Sequence, residues 1–168
     1  MGSGQDERAN VGGVETPLTF AGLMTLVEAG VLTWARTQPR DAHPNVLVAL
    51  DRQDGLAVAF LNFGEDGESQ MRVAGYAREL LRAVGAVAYV VVMEGVLESG
   101  VELIVLTGER CDGLDATKTF VVTRREDGTR ELIAQPAGSL ATGQWLDSPF
   151  TGLLSTKVQA DGQRVWDA

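Results

Sequence analysis

Apolar positions along the chain alternate between two periods. Phe20, Leu23, Met24, Val27, Val31 and Trp34 recur at steps of three and four, which places them on one face of a helix. Thr16 is expected to cap that helix, with Pro17 at its first position, and Gln38, Pro39 and the run to Pro44 end it. Two short apolar runs, 46–50 and 56–63, then flank Asp51-Arg52-Gln53-Asp54-Gly55, whose Asp-Gly pair is expected to supply the positive φ of a hairpin turn. Helical spacing returns at Val73, Tyr76, Ala77, Leu80, Leu81 and Val84, with Gly85 as the C-cap. Runs 86–97 and 101–107 are nearly all apolar and rich in Val, and they flank Glu98-Ser99-Gly100. Segments 118–124 and 129–134 alternate around a second Asp-Gly turn, Glu126-Asp127-Gly128.

This order, α-β-β-α-β-β-β-β, predicts an α+β domain: an antiparallel sheet of five to six strands with both helices on one face. The order of elements resembles the roadblock and longin type of scaffold domain, in topology and not in any motif. Residues 1–14, glycine-rich and without periodicity, are expected to form a flexible arm; 15–136 form the core domain, and 137–168 a C-terminal segment packed on the core or on a partner. Within that segment Ser148 and Pro149 are expected to start a short helix through Phe150, Leu153 and Leu154, and 160–162 to turn a small hairpin.

Strand composition adds a constraint. Runs 46–50, 56–61 and 86–93 are continuously apolar, whereas a sheet with one wet face alternates, so both faces of the central strands need cover. Two helices on one face leave the other to the segment around Trp145, Phe150, Leu153 and Leu154, or to a second copy of the chain.

Composition supports a folded chain: 45% of the 168 residues are hydrophobic and 22% charged. With 14 basic and 23 acidic residues the net charge is −9, which repels phosphate backbones and anionic lipid, so no direct nucleic-acid binding is expected. The same excess leaves open an acidic inhibitor that imitates nucleic acid, although the acids are interspersed with arginine. A single cysteine, Cys111, forms no intrachain disulfide and suits a reducing compartment, so a cytoplasmic location is expected. Asp6 and Glu7 stand where a secretory signal needs a basic start, and the most apolar stretch, 18–35, carries Glu28 within a helical stripe, so no membrane association is expected.

Candidate chemistry is sparse. The only histidine, His43, lies in the linker before Pro44, and one histidine with one cysteine cannot assemble the usual zinc sets or a catalytic triad. Gly12 and Gly13 precede no strand-turn-helix phosphate cradle, and neither a metal nor a cofactor is expected. Cys111 has only Arg110 beside it to lower its pKa, and Asp112 with Asp115 lacks the ligand spacing of a calcium loop. Glu94, Glu98 and Glu102 surround one strand turn and form a candidate carboxylate cluster for acid/base work or a hard cation, without a histidine or lysine nearby to support it. Trp34 falls on the first helix stripe and reads as core; Trp145 and Trp166, with Phe150, Leu153 and Leu154, are the candidate interface residues.

The stretch from Val92-Met93-Glu94-Gly95-Val96 through Val101-Glu102-Leu103-Ile104-Val105 to Glu109-Arg110-Cys111-Asp112-Gly113 resembles a family of small bacterial and phage-encoded proteins of unknown function. Val122 to Gly128 and Pro149-Phe150-Thr151-Gly152-Leu153-Leu154 fit it as well, so the likeness runs over about residues 45–155. The chain departs from it at Gly95-Val96, where a small residue followed by tryptophan is expected. The resemblance implies a bacterial or phage setting and carries no catalytic residue across. The expected function is a non-enzymatic interaction or accessory protein that binds a protein partner or itself. The alternative is a ligand-binding protein or enzyme built on Glu94, Glu98 and Glu102, and the third reading is the acidic inhibitor.

Overall fold

The computed structural model describes residues 18–38, 44–62, 66–136 and 149–154. Helix α1 (Phe20–Thr37) starts where Thr19, in extended backbone, accepts the Gly22 amide on its hydroxyl at 3.0 Å. The cap is Thr19 and not Thr16, which lets the first turn carry the buried Phe20, Leu23 and Met24. The helix ends at Gln38, as the following proline requires.

Strands β1 (Val46–Asp51) and β2 (Leu56–Phe60) form the first hairpin. Its turn is organised by Asp51, whose Oδ1 accepts the amides of Gln53 at 2.7 Å and Gly55 at 2.8 Å. Within the expected Asp-Gly pair it is Asp54 that takes the left-handed conformation, at φ 60°. Gly55 serves a different need: a Cβ there would collide with the Asp51 carboxylate that ties the turn. Helix α2 (Gly67–Ala83) is capped by Asp66, which accepts the Ser69 amide at 2.7 Å. Four strands follow as a meander, β3 (Ala86–Val96), β4 (Glu102–Arg110), β5 (Asp115–Arg124) and β6 (Arg130–Ala134).

The six strands pair antiparallel in the order β2-β1-β3-β4-β5-β6, the α+β architecture the pattern predicts. The helices, however, lie on opposite faces. In β3 the side chains of Ala88, Val90 and Val92 pack with Phe20, Leu23 and Val27 of α1, while the intervening Tyr89, Val91 and Met93 pack with Ala74, Ala77 and Leu81 of α2. The physical reason lies in the connections. Because β1 is antiparallel to both β2 and β3, those two run parallel, and α2 is the crossover that carries the chain over β1 on the face α1 leaves free. One helix on each face accounts for strands that are apolar on both sides.

The α2 face is completed by residues 149–154, a series of turns and bends and not the expected helix. Phe150 and Leu153 are 1% and 3% exposed, packed in the same cluster as Tyr89, Val91 and Met93, and Leu154 lies against its edge. Gly108 marks a tight approach on the α1 face. A Cβ there would stand 2.7 Å from the Tyr89 carbonyl oxygen and 3.1 Å from the Phe20 ring.

Candidate interaction surface

The three glutamates do not converge on one another. Glu102 is held in an ion pair by Arg124, whose Nη2 donates to both carboxylate oxygens at 3.0 and 2.9 Å. Glu98 is exposed in the β3–β4 turn, and Glu94 lies on β3 opposite Ile104, two residues along the ladder from Glu102. Among the described residues no three His, Cys, Asp or Glu side chains gather as a metal-holding group. Acids elsewhere pair with bases across the surface, Glu28 with Lys118, Glu131 with Arg125 and Asp112 with Arg110. The Arg110 hydrogen bond, helped by the Leu114 amide, lowers Asp112 to a pKa of about 2. Cys111 beside it is exposed.

Of the candidate interface residues, Phe150 and Leu153 belong to the chain's own core, which removes them from any surface a partner reaches. Trp145, Trp166, His43 and the hairpin expected at 160–162 lie outside the described residues. Trp34 is half-buried against the α1 cluster, with the Arg130 guanidinium 4.6 Å from its ring centroid.

Phe150 and Leu153 are tied down by a polar node that periodicity does not reveal. The Tyr89 hydroxyl sits 3.0 Å from the Phe150 carbonyl oxygen and 3.2 Å from Glu109 Oε2, to one of which it gives its proton, and it accepts the Leu153 amide at 3.2 Å. Arg78 on α2 donates to the Gly152 carbonyl at 3.3 Å. Burial raises the Tyr89 pKa well above the usual phenol range, and the Glu109 carboxylate adds to the shift. The signal was present in outline: Tyr89 interrupts an aliphatic run, and Arg78 follows Ala77 on a buried stripe.

The exposed apolar surface gathers instead at β2. Leu56, Val58 and Phe60 are 47%, 59% and 88% exposed and all point to the α1 side, where they and Leu26, Gly30 and Trp34 of α1 line a groove of about 400 Å³. Ala57 and Ala59 point to the other side. A second hollow of about 430 Å³ lies there between the end of β2 and α2, flanked by Phe60 and by Tyr76, itself 70% exposed. Tyr76 thus leaves the helix stripe on which spacing placed it. The buried line of α2 runs through Ala74, Ala77, Arg78 and Leu81.

Among the described residues the backbone of β2 is open as well. Hydrogen bonds from the Asp51 amide to Gly55 and from the Leu61 amide to Asn45 mark the bonded pairs at the two ends of the hairpin. With no shift of register between them, alternation makes Leu47–Ala59 and Ala49–Ala57 the other bonded pairs. The N–H and C=O groups of Leu56, Val58 and Phe60 therefore face outward along the sheet edge. Edge strands are commonly blunted by charge, proline or a bulge, and β2 carries none of these. The opposite edge, β6, carries Arg130 and Glu131, the latter paired with Arg125 at 3.3 Å. A polar hollow of about 330 Å³ near it mixes Arg36, Arg125 and Arg130 with Asp127 and Glu131.

Among the described residues no helix is long and apolar enough to cross a membrane. Comparison with protein families, curated proteins and solved structures finds no match for this chain.

Proposed function

We propose that this chain is a non-enzymatic interaction or accessory protein whose activity is stoichiometric binding through the β2 edge. One observation carries the reading: an uncharged edge strand with outward-facing backbone groups stands between two apolar hollows, with Phe60 88% exposed at the end they share. Strand addition to such an edge takes affinity from main-chain hydrogen bonds and specificity from pockets for alternate side chains. The groove along α1 supplies those pockets. Supporting the same reading, Glu102 is occupied by Arg124 and the surface acids are interspersed with bases, so neither the carboxylate site nor the acidic mimic gains a specific observation. A cytoplasmic setting in a bacterium or phage-infected cell is part of the proposal and accords with the one exposed thiol.

The test is capture on the tagged full-length chain, with an untagged copy of the same chain present, followed by quantitation of everything retained in high salt. A component held at fixed stoichiometry by the native protein and lost with Phe60→Lys is the expected result. Retention that is the same for both, or none for either, overturns the reading.

A further inference from the structure

We propose that the occupant of the β2 edge is a second copy of this chain, the two β2 strands pairing antiparallel about a two-fold axis at Val58. The inference rests on the binding reading above and names its partner. The backbone selects the register. Within β2, Leu56, Val58 and Phe60 present outward N–H and C=O groups, and a two-fold axis at Val58 sets Leu56 opposite Phe60 of the second copy, Val58 opposite its own mate, and Phe60 opposite Leu56. Each of these positions is then a bonded pair, and every outward group of the strand finds a partner. A slip by one residue would set outward groups against inward ones and leave them unpaired.

The side chains agree with that register. A two-fold axis perpendicular to the sheet keeps like faces together, so Leu56, Val58 and Phe60 of both copies meet on the α1 side and join the two grooves into one apolar floor. Ala57 and Ala59 meet their counterparts on the α2 side, where their small size leaves room for Tyr76 to lean over the junction. No charge of either copy enters the strand contact, which matters in a chain of net charge −9 that repels its own copies elsewhere. The area is adequate in scale. At roughly 200 Å² for a whole aromatic side chain, Phe60 and Tyr76 alone offer about 300 Å² of the roughly 800 Å² per partner that a standard interface buries. Leu26, Leu56 and Val58, all at least 47% exposed, supply more on the same edge.

Light scattering on the full chain across micromolar concentrations reads the mass directly. The native protein is expected at about twice the 17.9 kDa of one chain. Val58→Lys opposes two ammonium groups across the axis and is expected to weaken self-association about 100-fold while leaving the circular dichroism unchanged. Val58→Glu does the same alone, and an equimolar mixture of the two variants restores the dimer because opposite charges now face each other. Ile133→Lys on the β6 edge leaves the mass unchanged. A native monomer, or a dimer that survives Val58→Lys, overturns the proposal. A monomer that still retains a different protein in a Phe60-dependent way would remove the second copy and leave the binding reading standing; a monomer that retains nothing would remove both.

Discussion

The Tyr89 hydroxyl gives its proton to Glu109 or to the Phe150 carbonyl and accepts the Leu153 amide, so its removal has more than one consequence. Tyr89→Phe keeps the ring and removes the acceptor of the buried Leu153 amide together with one donated hydrogen bond, at an expected cost of about 1–3 kcal/mol in urea unfolding. The pH dependence has a definite sign. Burial raises the folded pKa above the ordinary phenol value of 10.0, so this contribution is whole below pH 10 and is lost as the pH rises above it. The native protein should therefore lose stability on the alkaline side more steeply than Tyr89→Phe, and parallel alkaline limbs would refute the buried phenol. Asp112 has the opposite sign, since its folded pKa is lowered from 3.8 to about 2. Its contribution is present above 3.8 and lost as the pH falls from 3.8 toward 2, so the difference between native and Asp112→Asn unfolding should vanish in that window. At Gly108 a methyl group meets the Tyr89 carbonyl and the Phe20 ring, and Gly108→Ala should cost about 1–3 kcal/mol by forcing α1 away from β4.

At the scale of elements, the turns 149–154 form part of the core through Phe150. Phe150→Ala should cost about 3–5 kcal/mol, and a value near zero would show that this segment does not seal the α2 face. The elements themselves were legible because each announces its period: α1 by the stripe from Phe20 to Trp34, the hairpins by apolar runs on either side of Asp-Gly. Which face a helix takes was not legible, because strands apolar on both sides, such as 89–93, pack equally well against a helix on either side. The crossover from β2 over β1 to β3 decides the matter, and that pairing is a long-range fact that no local pattern encodes. The edge was hidden for a related reason. Leu56–Phe60 reads as another buried strand, and only the sheet order places it outermost. The polar node around Tyr89 and Arg78 was marked by two residues out of pattern, but their partners lie 20 to 74 positions away in the chain.

At the scale of the molecule, a chain of net charge −9 that associates through an uncharged strand should associate more tightly as salt rises, because screening removes repulsion and leaves the apolar contact untouched. An acidic mimic of nucleic acid would lose its partner under the same change. Sedimentation at low and high salt separates the two trends. The central claim, that the outward backbone of β2 is a working surface, is tested most directly by amide hydrogen exchange read residue by residue at low and high protein concentration. Ala57 and Ala59, bonded to β1, are expected to be protected at both concentrations, while Leu56, Val58 and Phe60 exchange freely when dilute and slow together when concentrated. Free exchange of Leu56, Val58 and Phe60 at every concentration, in a protein that light scattering finds dimeric, would contradict it.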